Sequence, residues 1–596
     1  MRYLSILFVW AILFSSAIGQ VPETGSEVCT VENSRFLVGQ LAAESRTVRE
    51  ADKRVNILVR LADFSWPFDE PTARQYFTEA WGVAGAHFKE KGFETVRPSS
   101  AMALTSQKPD LRMTVIKAVA RHDAKWAERL SEEVLKEFEK AASERSGFNR
   151  EREIQEMIAL AGERVEEDPA FSMMLFRRLM RYPLEQHWFW ALYHTAGKNP
   201  SLAATLYSEL LQNYRNENAR RLLILSAYPF GRERMFGIDR FMISSSMPAG
   251  STADPMLQRQ FLETFFARIA AAATNPEERL RQPEPNRQPD AVYMYSALQE
   301  IEPIVISEHP ALIQRFTLAK SQANSLLTDE MRAGMGQRES SNNRMNTTFD
   351  ELLAQAEEAE KEGKLTDNMI IGLVIRQRKT EEQFARLEPW LDKIKEEQAR
   401  KDSTNYFWFT RSKLAITETR FADAVRFQAK VAEAEDRAVL AFDLAEKQLE
   451  DLSEAASVYQ TLGEVAKTAQ SLPDSATKAK ILMGLAYQYE RFNPGFAMQE
   501  LSDSVAVINR LQDPDLGSTA VYRQIIGKSY SFFSVYTVPG YDLERTYTKL
   551  AARDLGLSLS NARSIDDKFL RTIAVLAVTR ECAKKPRQNA ADPEVN

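Results

Sequence analysis

Hydrophobic and polar residues alternate along most of this chain with the period of an amphipathic helix. The clearest case is Arg54–Trp81, where one helical pattern leads through a short aromatic turn to a second helix that opens at Pro71. The arrangement returns at Lys480–Val505, and its turn proline, Pro494, falls within one residue of the same register. A helical hairpin that recurs along a long chain predicts a repeat architecture.

The second helices of these hairpins share a spacing of small and large residues. In the first hairpin a small residue, an aromatic residue four positions later and another small residue occupy Ala73, Phe77 and Ala80. This spacing resembles the second helix of tetratricopeptide repeats. The resemblance is degenerate, because the steps between copies run from 31 to 54 residues and the first-helix signature of that family is missing. Two further copies keep the first two positions: Ser172, Phe176 and Leu179, and Ala203, Tyr207 and Leu210.

The fold class that follows is all-α, a superhelix or solenoid of stacked helical hairpins in two lobes. Glycine and proline are few, 23 and 24 of 596 residues, as long helices require. The pattern also predicts a helix over Ala520–Phe533 near the end of the chain. The predicted segments are a signal peptide at 1–19, an N-terminal helical-repeat lobe at 35–274, an irregular helical segment with polar loops or a linker at 275–346, a C-terminal helical-repeat lobe at 347–582 and a disordered tail at 583–596.

The first residues have the pattern of a secretory signal peptide. Leu4–Phe14 is an apolar run, and Ala17 and Gly19 are the small residues expected before a cut at Gln20. The protein is therefore predicted to be secreted or periplasmic. An uncleaved membrane anchor is the alternative. After signal removal no stretch approaches the roughly 20 apolar residues of a transmembrane helix.

The sequence holds two cysteines, Cys29 and Cys582, near opposite ends of the mature chain. In an oxidising compartment a disulfide between them would tie the ends together. The alternative is unpaired or intermolecular thiols. The ends of an open solenoid lie far apart, whereas a disulfide needs Cα atoms within roughly 7 Å.

Composition and charge limit the classes of partner that the protein is expected to bind. Charged residues make up 27% of the chain and the net charge is −6, spread along the sequence. This charge pattern has no basic footprint for nucleic acid. The sequence predicts no cofactor.

Two groups of side chains are candidates for ligand binding. His187 and His194 lie seven residues apart on one helical face, either as metal ligands or at the edge of an aromatic core; without a third ligand nearby the core is favoured. Aromatic residues at helical spacing either line a ligand groove or fill the core. The candidates for that groove are Trp188, Trp190, Tyr193, Phe407 and Trp408.

Two short motifs touch on enzymatic chemistry. Ser475-x-x-Lys478 is similar to the nucleophile motif of penicillin-recognising enzymes, but a helix cap after Pro473-Asp474 explains it better. Glu339-Ser340 resembles the catalytic pair of soluble lytic transglycosylases, yet it lies in a polar linker that offers no buried pocket.

The predicted function is therefore a non-catalytic scaffold in the cell envelope that binds a protein or peptide partner. One alternative is an envelope hydrolase or lytic-transglycosylase-like enzyme with its site between the lobes. Another is a small-ligand-binding protein with an aromatic pocket. A deep pocket with two or more convergent ionisable side chains would favour the enzyme, and a smooth groove would favour the scaffold.

Overall fold

The computed structural model describes residues 31–92, 95–96, 106–107, 110–144, 151–232, 234–237, 253–275, 289–332, 348–376, 379–450, 455–512, 514, 516, 519–526 and 531–584. Several predicted features lie outside these residues. They are the signal peptide, Cys29, residues 276–288 of the predicted irregular segment, Glu339-Ser340 and nearly all of the tail. The predicted all-α fold of helical hairpins is confirmed in the described parts.

The chain divides into two compact units. The terminal unit combines Met1–Ser106 with Phe349–Asn596, and the central unit is Gln107–Thr348. This division differs from the predicted lobes at 35–274 and 347–582, because the first helices belong with the C-terminal part of the chain.

The helices follow one another in chain order with two short strands between α3 and α4 and a hairpin of longer strands late in the chain. Before the central unit they are α1 (Val31–Ser45), α2 (Ala51–Ser65) and α3 (Glu70–Lys91), followed by β1 (Thr95–Val96) and β2 (Ser106–Gln107). The central unit has α4 (Leu111–Ala120), α5 (Ala124–Glu144), α6 (Glu151–Glu163), α7 (Pro169–Leu179), α8 (His187–Lys198), α9 (Pro200–Asn213), α10 (Ala219–Leu222), α11 (Pro255–Thr274), α12 (Asp290–Glu308) and α13 (Ile313–Ser325).

The terminal unit then resumes and runs to the end of the described chain. Its elements are α14 (Phe349–Lys361), α15 (Asp367–Val374), α16 (Glu381–Leu387), α17 (Glu397–Thr417), α18 (Phe421–Gln428), α19 (Ala434–Gln448), α20 (Ala455–Ser471), α21 (Ala476–Tyr489), α22 (Pro494–Ile508), β3 (Ala520–Ile526), β4 (Ser531–Thr537), α23 (Leu543–Arg553), α24 (Leu555–Arg563) and α25 (Lys568–Lys584). Within the described residues, no helix is both long enough and apolar enough to cross a membrane.

The two matching hairpins predicted from the sequence are α2–α3 and α21–α22. Asp69 and Asn493 cap the second helices, each accepting a backbone N–H three residues on; Pro71 lies two positions after Asp69, and Pro494 directly follows Asn493. The shared apolar face is buried in both. In the first hairpin these residues are Ile57, Leu58, Leu61 and Ala62, and in the second they are Ile481, Leu482, Leu485 and Ala486, none more than 2% exposed.

The two ends of the described chain meet in the terminal unit. Helices α1 and α2 pack against α25. Nη2 of Arg571 lies 3.0 Å from a Glu44 carboxylate oxygen, and Lys568 Nζ donates to Thr47 Oγ1 at 2.8 Å. The long separation expected for the ends of an open solenoid is therefore absent between these helices.

We predict that this packing allows a disulfide within the chain. Cys582 is a buried residue of α25 and is disulfide-bonded; the other cysteine of the sequence, Cys29, comes two residues before α1. Alkylation of the unfolded, unreduced protein should modify no cysteine, and peptide mapping should find Cys29 linked to Cys582. Two alkylated thiols, or a dimer that reductant dissolves, would contradict the prediction.

A hairpin of two strands interrupts the helices near the C-terminus. Strands β3 and β4 pair antiparallel, with Ala520 opposite Thr537 and Ile526 opposite Ser531. The predicted helix over Ala520–Phe533 is therefore wrong. Alternate residues of β3 are buried, and strand alternation with branched and aromatic side chains outweighs the helical pattern here.

A buried carboxyl in α22 makes the stability of the terminal unit depend on pH. Glu500 is 7% exposed. Burial, reinforced by repulsion from Asp503, raises the pKa of Glu500 to about 7 from an ordinary 4.5. Since the folded state then holds the proton more tightly than the unfolded state, the group opposes folding as pH rises from about 4.5 to 7.

We therefore expect Glu500→Gln to change the free energy of unfolding more favourably at pH 8 than at pH 5. The difference should be on the order of 2 kcal/mol in the free energy of unfolding. Urea denaturation of both proteins at the two pH values measures it. Glu464→Gln, on the exposed carboxylate of α20, is the matched control and should show no such pH dependence. A Glu500→Gln effect that is the same at both pH values would refute the assignment.

Candidate functional site

A cavity lined by buried charged side chains lies beside the β-hairpin of the terminal unit. It has a volume of about 420 Å³ and runs along β3 between that strand, α17, the start of α19 and the start of α21. We call it the edge groove. Its charged lining residues are Lys401, Asp402, Glu433, Glu435, Asp436 and Arg523.

Local sequence explains how these side chains reach the groove. Glu435 and Asp436 occupy the first turn of α19, where the positive end of the helix dipole favours carboxylates. Arg523 lies on the buried face of β3 between Val521 and Ile525. Ser475 caps α21 by accepting the backbone N–H of Lys478 at 3.2 Å, which confirms that Ser475-x-x-Lys478 contains a helix cap.

Arg523 forms the centre of the groove wall. It is 7% exposed, and its guanidinium carbon lies 3.5 Å from the ring centroid of Phe409 and 4.3 Å from that of Tyr536. Nη2 lies 2.9 Å from Oδ1 of Asp436, and Asn405 donates to the other carboxylate oxygen at 2.7 Å. Among the described residues, none of the three guanidinium nitrogens of Arg523 has a partner with hydrogen-bond geometry, and Nη2 is held by the ion pair with Asp436 alone.

The carboxyl groups of the groove titrate abnormally. Burial raises the pKa of Asp402, Glu435 and Asp436, although nearby cations and hydrogen bonds oppose the shift. For Asp436 the main opposing group is Arg523, and for Glu435 it is Lys480. Burial therefore outweighs the attraction of these cations, as expected where carboxylates lose hydration.

The charges of the groove leave an excess of negative charge. The Arg523 guanidinium and the Asp436 carboxylate neutralise each other. Asp402, Glu433 and Glu435 then face Lys401 in the lining and Lys480, which acts on Glu435, so three carboxyl groups face two cations. The groove therefore favours a cationic group over an anion.

A second, wider cavity adjoins the groove through Lys401 and Asn405. Its volume is about 790 Å³, and its other charged lining residues are Asp392, Glu397, Arg400 and Lys430. Both signs of charge are represented, so this surface gives no preference for one sign of ligand.

The predicted aromatic groove residues lie mainly in the protein core. Trp188 and Tyr193 are buried in the central unit, Phe407 and Trp408 are buried in the terminal unit, and only Trp190 reaches 37% exposure. None of the five lines the edge groove. The neighbouring residues Tyr406 and Phe409 do border it or contact Arg523. Positions three apart share a helix face, so Phe407 and Trp408 point elsewhere.

The two histidines of α8 differ in their burial. His187 is buried, and burial lowers its pKa to about 4, so the imidazole is neutral at physiological pH. His194 is exposed. Across the described part of the chain, no group of three or more His, Cys, Asp or Glu side chains is arranged to hold a metal ion.

Comparison with known proteins gives no family for this chain. No protein-family model matches the sequence, and no curated protein shows significant similarity to it. Any function must therefore be argued from the edge groove itself.

Proposed function

We propose that this protein is an exported, non-catalytic helical-repeat scaffold of the cell envelope that binds a protein or peptide partner through the edge groove. The signal-like N-terminus and the tetratricopeptide-like spacing support export and a repeat scaffold. The observation that carries the binding role is the edge groove, where a strand of a two-stranded sheet borders a cavity of about 420 Å³ with several charged side chains in its lining.

The polar groups of the groove are held in place in a way that suits binding. Asp436 is fixed by Arg523 and Asn405. Asp402 accepts from the Gln398 side chain at 2.7 Å, and the nearby backbone N–H of Ile526 also favours its ionised form. Side chains with locked positions form a preorganised surface, which lowers the entropy cost of binding a partner.

A hydrolase is the second candidate, because the same cavity gathers several carboxyl groups. Asp402, Glu435 and Asp436 all have raised pKa values, and a general acid requires such a shift. A pocket in which two or more ionisable side chains converge favours an enzyme over a scaffold. Against this, hydrogen bonds to Asp402 and the Arg523 contact to Asp436 both stabilise the ionised carboxylate.

Affinity capture with a matched activity assay separates the two candidates. The full chain, immobilised, is incubated with envelope extract, and each retained protein is purified and rebound in isolation. The same chain is incubated with purified cell-wall polysaccharide. We expect a retained partner that rebinds and no soluble sugar fragments. Sugar release that Glu435→Gln abolishes would support the hydrolase, and the absence of any rebinding partner would overturn the scaffold.

A further inference from the structure

We infer that the edge groove receives an extended segment of the partner, which adds as a third strand to the outer edge of β3 and places lysine or arginine side chains against the groove carboxylates. This inference rests on the proposed function and names the binding mode and the chemistry of the partner.

The backbone N–H and C=O groups of β3 point alternately toward β4 and away from it. In an antiparallel pair, both backbone groups of a residue point to the same edge, and the edge alternates from residue to residue. The N–H of Val538 donates to the C=O of Thr519 at 3.0 Å, so this pair, next to Ala520 and Thr537 in the register, is a hydrogen-bonded one. Odd-numbered residues of β3 therefore bond to β4, and Tyr522 and Gln524 direct their backbone groups away from it.

The outer edge of β3 opens on the groove. Ile526 has the same parity as Tyr522 and Gln524, and its backbone N–H lies close enough to Asp402 on α17 to oppose the rise in the pKa of that carboxyl. Tyr522 and Gln524 themselves line the groove. Their outward N–H and C=O groups make no hydrogen bond to another described residue. A strand edge of this kind is a template for an incoming strand.

The charge of the groove selects the side chains of that strand. Asp402, Glu433 and Glu435 exceed the local cations once Asp436 is paired with Arg523. Glu435 is only partly exposed, so a cation beside it would offset the cost of its lost hydration. Because side chains alternate along a strand, every second residue of the added segment would face the same side.

Arg523 provides an independent indication of a ligand. Its side chain is more than nine-tenths buried, lines the groove and has Nε and Nη1 without a hydrogen-bond partner in the described structure. Buried donors of this kind carry a free-energy cost until an acceptor arrives. An acceptor on the partner would have to reach these nitrogens, and a neutral oxygen is compatible with the negative groove.

The solvent face of the hairpin adds apolar surface beside this edge. Tyr522, Phe533 and Val535 are 69%, 50% and 54% exposed, and Tyr522 lies directly opposite Val535. A third strand next to β3 would cover part of Tyr522. Apolar residues between the basic ones would therefore contribute to binding.

The probe is a blocked peptide, Thr-Lys-Val-Lys-Val-Lys-Thr, with binding measured by fluorescence anisotropy at low and high salt. The full chain is compared with Glu435→Lys, Gln524→Pro and Gln524→Ala. Proline removes the outward N–H of residue 524 without removing a bond to β4, and alanine removes only the side chain. Thermal melting by circular dichroism checks that each variant is folded.

We expect the lysine peptide to bind at least about tenfold more tightly than the same peptide with every lysine acetylated. Its binding should weaken as the salt concentration rises. Glu435→Lys and Gln524→Pro should each weaken binding about tenfold, whereas Gln524→Ala should change it little. Peptides N-methylated at one alternate set of residues should lose binding, and those methylated at the other set should keep it. This contrast remains available if Gln524→Pro fails to fold.

Equal binding of the lysine and acetyl-lysine peptides would overturn the basic chemistry. If N-methylation of either alternate set of peptide residues weakened binding equally, strand addition would be overturned. If a partner captured from envelope extract still binds Gln524→Pro and Glu435→Lys, the inference fails while the scaffold function stands; if no partner rebinds, the proposed function fails. A dimer in sedimentation that Gln524→Pro dissolves would assign the edge to a second copy of the chain and contradict the peptide.

Discussion

Leu61→Asp should detach or unfold the opening hairpin of the terminal unit. Leu61 is fully buried in α2, which packs against both α3 and α25. The substitution removes a core side chain, at a cost of about 3–5 kcal/mol, and buries a carboxylate without a partner, which adds to the cost. The sum is comparable to the total stability of a typical domain, about 5–15 kcal/mol.

Circular dichroism and thermal melting measure this effect. We expect a lower helical signal or a much lower melting temperature for Leu61→Asp. Gln75→Asp is the control, since it places the same charge on an exposed position of α3 in the same hairpin. Unchanged helicity and melting for Leu61→Asp would show that the repeated apolar face is not needed there.

Arg523→Met should be the most destabilising single change in the edge groove. Arg523 and Asp436 are both about 6% exposed in their side chains, so losing the cation leaves a buried carboxylate without its counterion. Removing one partner of such a pair costs about 3–5 kcal/mol. Burial already raises the pKa of Asp436 against the attraction of Arg523, and without Arg523 the pKa rises further.

The pH dependence of this penalty follows from the sign of the shift. A carboxyl whose pKa is raised in the folded state makes the protein less stable as pH rises. The loss begins near the ordinary pKa of 3.8 and continues up to the pKa in the folded state. Urea unfolding should therefore show a larger loss for Arg523→Met at pH 8 than at pH 5. The double variant Arg523→Met with Asp436→Asn should recover most of the loss. A double variant as unstable as the single one would contradict the ion-pair account.

The helical hairpins could be predicted because their signals are local. The caps Asp69 and Asn493, the prolines that follow them and the apolar spacing of Ile57–Ala62 all lie within one hairpin. The disulfide question shows the limit of such signals. Contact between α1 and α25 joins residues more than 500 positions apart in the sequence. The periodicity of hydrophobic residues does not predict such a contact.

The edge groove could not be predicted because its parts are distant in sequence. Asp402, Glu435 and Arg523 come from α17, α19 and β3, and only the packing of these elements brings them into one cavity. A signal for the strand was nevertheless present. Val521, Arg523 and Ile525 alternate with exposed residues, and Gly527 separates two runs rich in branched and aromatic side chains, a pattern typical of a hairpin.

Hydrogen exchange at the edge of β3 tests the central claim most directly. The amides of Tyr522 and Gln524 are compared, residue by residue, in the protein alone and with the peptide Thr-Lys-Val-Lys-Val-Lys-Thr bound as its partner. Arg523 is the internal reference, because its amide bonds to β4. We predict fast exchange at Tyr522 and Gln524 in the free protein and strong protection in the complex, with little change at Arg523. Exchange at Tyr522 and Gln524 that the bound partner leaves unchanged would contradict binding at this edge.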